Sequence, residues 1–388
     1  LNAKEAKEES KGKINSYYHV IKPEIDFPEN TDYYSKEIYQ QGKDNFDRLV
    51  ENKMMIQEKS SNYYVYQLIM NGHKQTGIVG CCAIDDYFNN TIKKHELTRK
   101  DKEEDRKNHI RYSRLNYEPV FFAYPKVDDL DSIVNQIKKE ETTYDFLTED
   151  NIQHTLWTIN DSEIQIRIQK LFKDKVPNIY IADGHHRTAA AALVGKELRD
   201  KAGGYATDGS HYNYFMAVLF PDNQLNIIDY NRVVSDLNGI EPSSLLERLS
   251  EKFKITKIKE SYKPKELHHI GMYLHKKWYK LVIKEGLYDP QDPVDVLDVT
   301  ILSKQILDPI LDIRDLRSNT RIDFVGGIRG IKELEKRVDS GEMKVAFALY
   351  PVSMQQIMDI SDNNMIMPPK VTWFEPKLRS GLTVYSLS

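Results

Sequence analysis

The chain has 388 residues, and its 55 Lys and Arg residues against 59 Asp and Glu residues give a formal net charge of −4 at pH 7. Its 40% hydrophobic and 29% charged residues are typical of a globular protein and exclude a collagen-like fibre, a disulfide scaffold and a wholly disordered chain. No apolar run approaches the roughly 18 residues that cross a bilayer, and the charged first residues do not resemble a secretory signal. We therefore expect a cytoplasmic protein without a membrane partner, and the near-neutral charge argues against duplex nucleic acid as a partner.

The first predicted elements are a β-hairpin, in which apolar residues alternate along Tyr63–Met70 and Gly77–Ile84, and an exposed helix in the polar stretch from Lys93 to Leu115. The later predicted elements, in chain order, are the strand Val120–Tyr124, the helix Asp129–Glu140, the β segments Thr143–Leu147 and His154–Ile159, the helix Ser162–Lys173, the strand Asn178–Ala182, the Ala-rich helix His185–Lys201, the hairpin Tyr214–Phe220 with Leu225–Tyr230, a hairpin that ends near Ile283, the helix Val299–Leu311, the strand Arg321–Val325, the helix Ile331–Ser340, the strand Val345–Leu349 and the helix Ser353–Ile360. Because helices and strands mix without a regular βαβ rhythm, the pattern favours the α+β class with mixed sheets.

We expect one closely packed body or two intimate lobes, which divide along the chain into three segments. Residues 1–150 are predicted as an N-terminal α+β lobe with the hairpin and the charged helix. Residues 151–240 are predicted as a core that contains the sequence DGHHR, and residues 241–388 as a C-terminal α+β lobe packed against that core.

The segment Ile179–Ala192 (IYIADGHHRTAAAA) predicts a strand, a tight turn and a helix. The first backbone N–H groups of a helix have no internal partners and lie at the positive end of its dipole, so they can bind an anion. Gly184 allows close approach to the backbone, and Arg187 adds charged donors. Asp183 could cap the helix, hold a magnesium ion or accept a proton. A purely structural turn, with Asp183 as the N-cap and Arg187 paired with a carboxylate, fits the same residues.

A second candidate is Lys93–Arg99 (KKHELTR), at the start of the polar helix. Phosphoryl transfer needs charge neutralisation and a carboxylate that orients or deprotonates the attacking hydroxyl. We predict Glu96 as that base, Lys94 as a phosphate ligand and His95 as an alternative proton carrier. A solvated, charged helix start explains the same composition.

A third candidate is Met367–Gly381 (MPPKVTWFEPKLRSG), whose prolines exclude a regular helix. Its cations Lys370, Lys377 and Arg379 could close over an anionic substrate. Alternatively, its Trp-Phe pair fixes the segment to the core as an edge strand.

Several blocks in this order resemble the domain-of-unknown-function (DUF) 1015 family, a branch of the ParB/sulfiredoxin superfamily. They run from IKKHELTRKDKEEDR through HTLW, YIADGHHRTAAAA and NYFMAVLFPDNQLNIIDYNRVV to RIDFVGGIRG, VAFALYP and MPPKVTWFEPKLRSGL. The resemblance implies a ParB/sulfiredoxin-like unit around the strand–DGHHR–helix turn, with a nucleotide phosphate on that turn. His185 stands where sulfiredoxin-like enzymes carry their catalytic cysteine, so sulfinic-acid reduction is not expected. The DGHxR turn is similar to that of the superfamily's free serine kinases.

The resemblance implies phosphoryl transfer to or from a small hydroxylated metabolite, with free serine or phosphoserine as the substrate and Mg²⁺ and a nucleotide, ADP or ATP, as partners. Kinase and phosphatase directions stay open, as does the oligomeric state. A ParB-like nucleotide-binding regulatory switch is the alternative, and a scaffold with a degenerate site is a third hypothesis. The candidate residues are Glu96, His95, Asp183, His185 and His186 for catalysis, Asp183 for the metal, and Lys94, Gly184, Arg187, Thr188, Lys370, Lys377 and Arg379 for phosphate or nucleotide.

Overall fold

A computed structural model describes residues 2–204 and 209–387 of the chain. The chain forms two compact units, which we call the first unit (residues 1–225 and 376–388) and the second unit (residues 226–375). Among the helices in the described ranges, none has both the length and the apolar character that a membrane-spanning segment requires.

Helices and strands alternate irregularly along the chain, which confirms the predicted α+β class. The α-helices are α1 (Ala3–Ser10), α2 (Tyr18–Ile21), α3 (Lys36–Glu51), α4 (Ile84–Phe88), α5 (Lys100–Ser113), α6 (Asp128–Ile137), α7 (Ser162–Lys175), α8 (His185–Lys201), α9 (Pro242–Lys252), α10 (Asp298–Leu302), α11 (Ile331–Asp339) and α12 (Met354–Asp362). The strands are β1 (Tyr63–Met70), β2 (His73–Ala83), β3 (Ile92–Lys93), β4 (Leu115–Asn116), β5 (Val120–Tyr124), β6 (Tyr144–Leu147), β7 (Gln153–Ile159), β8 (Ile179–Asp183), β9 (Tyr214–Pro221), β10 (Asn226–Ile227), β11 (Tyr230–Val234), β12 (Phe253–Ile258), β13 (His269–Leu274), β14 (Lys277–Ile283), β15 (Ile322–Gly326), β16 (Val345–Ala348), β17 (Phe374–Glu375) and β18 (Tyr385–Ser386).

The first unit is built on an eight-stranded sheet in the order β3-β8-β5-β9-β2-β1-β7-β6. The sheet is mixed, because β3 with β8 and β5 with β9 run parallel while the other neighbouring pairs run antiparallel. The predicted hairpin of β1 and β2 is confirmed, with Met70 opposite His73 at its turn. Strand β18 pairs with β4 and so returns the end of the chain to this unit.

The core of the first unit lies between this sheet and its helices. Strand β5 (VFFAY) is buried along its whole length, as expected of a strand with neighbours on both edges and packing on both faces. Helix α6 buries Leu130, Ile133, Val134 and Ile137, one helical stripe. Helix α8 buries the run Ala189–Ala192 and packs against α5. These small side chains let the two helices that carry the candidate site approach closely.

The second unit contains a six-stranded antiparallel sheet in the order β12-β14-β13-β16-β11-β15, and a two-stranded sheet of β10 and β17. The predicted hairpin of Tyr214–Phe220 with Leu225–Tyr230 is wrong. Strand β9 already pairs with β2 on one edge and β5 on the other, so it has no free edge for a hairpin partner.

The units also divide the chain differently from the three expected segments. The eight-stranded sheet takes β1, β2, β3, β5 and β6 from residues 1–150 and β7, β8 and β9 from residues 151–240, so backbone hydrogen bonds join the two ranges. The six-stranded sheet likewise takes β11 from before residue 241. The division follows strand pairing between distant segments and not the order of elements along the chain.

Gly195 in α8 provides a test of this close packing. Alanine is normally favoured over glycine within a helix by about 1 kcal/mol. Here, however, a Cβ atom at Gly195 would lie 2.4 Å from the carbonyl oxygen of Tyr212. We expect Gly195→Ala to lower the free energy of unfolding by about 1–3 kcal/mol, measured from the urea midpoint.

The neighbouring, exposed Lys196→Ala is the control and should change the free energy of unfolding by no more than about 0.5 kcal/mol, because only a surface ion pair with Asp200 is lost. A midpoint that rises in Gly195→Ala would contradict the packing described.

Candidate active site

The turn between β8 and α8 has the geometry that the sequence predicts. Strand β8 ends at Asp183 and α8 begins at His185, while Gly184 between them has φ 95°, in the left-handed region that favours glycine. Gly184, and not Asp183, is the N-cap, and it has no side chain that could accept from the first N–H groups of the helix. The Gly184 carbonyl accepts from the backbone N–H and the hydroxyl of Thr188, at 2.9 and 3.0 Å. Thr188 is fully buried, so its hydroxyl fixes the turn.

The Asp183 carboxylate lies between two cations. Its Oδ2 atom is 3.5 Å from Nη2 of Arg187 and 3.5 Å from Nζ of Lys377. Burial raises the pKa of Asp183, but the charges of Lys377 and then Arg187 outweigh that effect and leave the pKa below its usual value. The carboxylate is therefore ionised at neutral pH.

Arg187 connects the turn to a second carboxylate, that of Glu118. Its Nη1 atom donates to the Pro119 carbonyl at 3.1 Å and lies 3.8 Å from Oε2 of Glu118. Oε1 of Glu118 accepts from the Ser380 hydroxyl. Burial raises the pKa of Glu118, but Arg187, followed by Arg106, outweighs burial and keeps the pKa low. Arg187 thus lies between two ionised carboxylates, Asp183 and Glu118, and Lys377 contacts the first of them.

A pair of buried histidines adjoins the turn. The rings of His95 and His185 pack edge to face with their centroids 4.4 Å apart. Burial lowers the pKa of His95 to about 4 and that of His185 well below its usual value, so both rings are neutral at pH 7. Neither ring nitrogen of His95, nor Nε2 of His185, makes a hydrogen bond with a described residue. Nδ1 of His185 lies 3.9 Å from Oε2 of Glu96, which connects the pair to the predicted base.

His186 joins α8 to the loop before α5. Its Nε2 atom accepts from the backbone N–H of Arg99 at 3.0 Å, and burial lowers its pKa. Lys94 lies elsewhere: its Nζ atom donates to the Tyr87 carbonyl at 3.0 Å and sits 3.9 Å from the centre of that ring. No contact within residues 2–204 and 209–387 brings the Lys94 ammonium to the DGHHR turn.

The three C-terminal cations do not act as one strip. Lys377 reaches Asp183, as described above. Arg379 instead pairs with Asp150, and its Nε atom donates to Nε2 of His154 at 3.3 Å. Lys370 is exposed on the second unit.

Two residues that the sequence analysis missed face the same site. Glu118 and Arg106 line one pocket together with Arg187, and Ile110 and Phe215 contribute apolar walls. Arg106 stands one turn before the buried Ile110 on α5, so a reading of that helix face could have found it. Glu118 lies alone between two short buried strands, which is a weaker signal.

Asp183 can bind a magnesium ion only if substrate phosphates and water supply the other ligands. In the described ranges, no group of three or more His, Cys, Asp and Glu side chains could hold a metal ion by itself. Mg²⁺ commonly binds through one or two carboxylates together with substrate phosphates and water, and the ionised Asp183 can supply such a ligand.

Comparison with known proteins shows distant likenesses. No curated protein sequence matches the chain. Among solved structures, SbnI with a C-terminal truncation from Staphylococcus aureus is similar at a TM-score of 0.42 and 11% identity, over 79% of this chain and 87% of that chain. A free serine kinase in complex with AMP has a TM-score of 0.36 and 13% identity, over 76% of this chain and 86% of that chain. A conserved hypothetical protein from Pyrococcus furiosus has a TM-score of 0.38 and 13% identity, over 80% of this chain and 95% of that chain. Likenesses at this level do not support an assignment of function.

The sequence model of one family covers most of the chain. The family described as "Protein of unknown function (DUF1015)" matches residues 1–300. That range contains the loop before α5 and the whole DGHHR turn, two of the blocks that carry the resemblance in the sequence. The protein therefore belongs to the DUF1015 family.

Proposed function

We propose that the first unit is a phosphoryl-transfer enzyme that acts on a small hydroxylated metabolite, with free serine or phosphoserine as its substrate. The observation that carries the proposal is the ionised Asp183 between Lys377 and Arg187, at a helix start whose N-cap has no side chain. Phosphoryl transfer relies mainly on positioning and on charge neutralisation, and this turn offers both. The resemblance of DGHHR to the turn of free serine kinases supplies the choice of substrate.

In this proposal the backbone from Gly184 to Arg187 binds a phosphate, because the N–H groups there lie at the positive end of α8. Arg187 and Lys377 add charged donors. Lys94 and Arg379 have no part, since both are engaged away from the turn. Thr188 keeps a structural role.

Glu96 is the proposed base that orients or deprotonates the substrate hydroxyl. Its carboxylate lies beside the neutral His185, 3.9 Å from Nδ1, and His185 packs on His95. Burial opposes protonation of both rings, so in this proposal the pair places neutral groups beside Glu96 and the abstracted proton stays on the Glu96 carboxylate. His186, which accepts from the Arg99 backbone, holds the loop that carries Glu96 against α8.

Asp183 would hold Mg²⁺ together with phosphate oxygens of ADP or ATP. When bound, the ion would offset negative charge on the transferred phosphoryl group. The same residues would serve a kinase or, with water as the acceptor, a phosphoserine phosphatase.

The direct experiment incubates the protein with Mg²⁺ and either O-phosphoserine alone or serine with ADP or ATP, and follows phosphate and phosphoserine. Formation or loss of phosphoserine is the expected result and gives the direction. Nucleotide that binds and raises the melting temperature, without any serine-dependent turnover, would contradict the enzyme and favour a nucleotide-binding switch.

Arg187→Ala tests the phosphate site. We expect turnover to fall by about 10²–10³-fold, because a charged donor to the developing phosphoryl charge is lost. The fold should persist with a loss of about 1–3 kcal/mol, because the Pro119 carbonyl loses a donor and the carboxylates of Asp183 and Glu118 lose a cation. The matched control is Arg167→Ala, an exposed arginine on α7, which should keep wild-type turnover. Wild-type turnover in a folded Arg187→Ala protein would exclude this site.

His95→Gln tests whether the histidine pair is buried and neutral. Since the pKa of His95 is about 4 in the folded protein and about 6.5 in the unfolded chain, the unfolded chain binds more protons between these values. Stability should therefore fall as pH falls through this window. His95 contributes about 2 kcal/mol of that loss between pH 7 and pH 5. The variant should lose correspondingly less stability, measured by urea unfolding at both pH values.

The exposed His275→Gln is the control and should keep the wild-type dependence of stability on pH. Equal pH dependence in His95→Gln and wild type would show that His95 is not held neutral by burial.

A further inference from the structure

Arg106 is a half-buried guanidinium without a hydrogen-bonding or ion-pair partner among the described residues. It lies on the inward side of α5, four residues before the buried Ile110. No hydrogen bond or ion pair joins it to any residue that the structure describes. Its charge nevertheless acts on the site. Arg106 lowers the pKa of Glu118, and among the nearby cations only Arg187 has a larger effect. A guanidinium carries five N–H donors, and removing them from water without a partner is unfavourable.

The pocket that Arg106 lines also contains Arg187 and Glu118. Two guanidinium groups and one carboxylate leave one positive charge in excess. Arg187 is already committed to the Pro119 carbonyl and to the Asp183 carboxylate, whereas Arg106 is not. The remaining charge of Arg106 therefore suits an anionic group on a ligand.

The other walls of this pocket are mostly apolar and include Ile110, Val120 and Phe215. Charged groups on such walls interact more strongly with a ligand than they would in water. A ligand with one anionic and one cationic group fits Arg106 and Glu118 at the same time. A sugar or polyol, which carries neither group, would leave the charge of Arg106 uncompensated, whereas Glu118 already has Arg187 and Ser380 beside it.

We propose that this pocket recognises the zwitterionic head of a free α-amino acid, with its carboxylate on Arg106 and its ammonium on Glu118. The inference rests on the proposed function, because it takes the phosphate of the same substrate to lie at the start of α8. Arg187 lines the pocket and belongs to the turn, so it connects the two ends of the substrate. The proposal restricts the substrate to hydroxylated α-amino acids and makes Arg106 a specificity-determining residue.

The test compares two probes that differ only in the α-carboxylate, O-phospho-L-serine and O-phosphoethanolamine. Titration calorimetry measures their dissociation constants with wild type, Arg106→Gln and the control Lys102→Gln. Lys102 is an exposed cation on the same helix, so its loss changes the net charge equally without touching the pocket. A charged hydrogen-bond pair corresponds to about a 10- to 100-fold change in affinity.

We expect wild type and Lys102→Gln to bind phosphoserine about 10- to 100-fold more tightly than phosphoethanolamine. Arg106→Gln should abolish this preference, because it weakens the binding of phosphoserine and leaves that of phosphoethanolamine unchanged. Two results would overturn the inference: wild type without a preference, or Arg106→Gln with equal losses for both probes, since the latter places Arg106 on the phosphate or in a structural role. Equal melting temperatures of the three proteins confirm that the variants fold.

Turnover separates this inference from the proposed function. A protein that binds phosphoserine with the expected preference, yet neither forms nor consumes it, would contradict the proposed phosphoryl-transfer activity and support amino-acid recognition by the pocket. If wild type and Arg106→Gln both turn over phosphoserine and phosphoethanolamine equally, the phosphoryl-transfer activity is supported and amino-acid recognition by the pocket is excluded.

Discussion

The ion pairs of Asp183 with Lys377 and Arg187 are the interaction on which the candidate site depends. They join the end of β8 and the first turn of α8, which are neighbours in the sequence, to the C-terminal segment, which is distant in the sequence. Burial acts against the ionised carboxylate, and the two cations overcome it. Because each partner carries a charge, loss of any one would leave the others poorly compensated in a partly buried place.

The histidines of the same site are held neutral, whereas Asp183 is held charged. Burial lowers the pKa of His95 by more than the Asp183 carboxylate raises it, and burial is also the largest effect on His185, so both rings stay neutral. Fixed negative charge at Asp183 thus lies near imidazoles that burial keeps neutral. Environments that move the pKa values of neighbouring groups apart are typical of sites that transfer protons. Glu96, next to His185, lies where these two environments meet.

Close packing of α8 makes this arrangement possible. Its buried alanines and Gly195 let the helix approach α5 and the Tyr212 backbone, which larger side chains would prevent. Helix α5 in turn brings Arg106 to the pocket shared with Arg187 and Glu118. The charged groups of the site therefore owe their positions to small, uncharged residues behind them.

The sequence by itself determined the local structure of the site. The strand–turn–helix at DGHHR follows from neighbouring residues, with Gly184 in a left-handed conformation that glycine adopts more easily than any other residue. The β1–β2 hairpin and the α+β class follow in the same way from local periodicity. An apolar pattern shows which face of an element is buried, but not what buries it. Only the tertiary structure therefore decided that Lys377 meets Asp183.

The tertiary structure also decided where the remaining charged residues lie. Arg379 and Lys94 have the same charge as Lys377, and the sequence around them predicts a phosphate ligand equally well. In the structure they bind Asp150 and the Tyr87 carbonyl instead. The partners of Glu118 and of strand β9 were set by chain segments distant in sequence, through contacts that no local pattern encodes. Local sequence specifies conformation within a few residues, whereas the meeting of distant charges depends on how the whole sheet pairs.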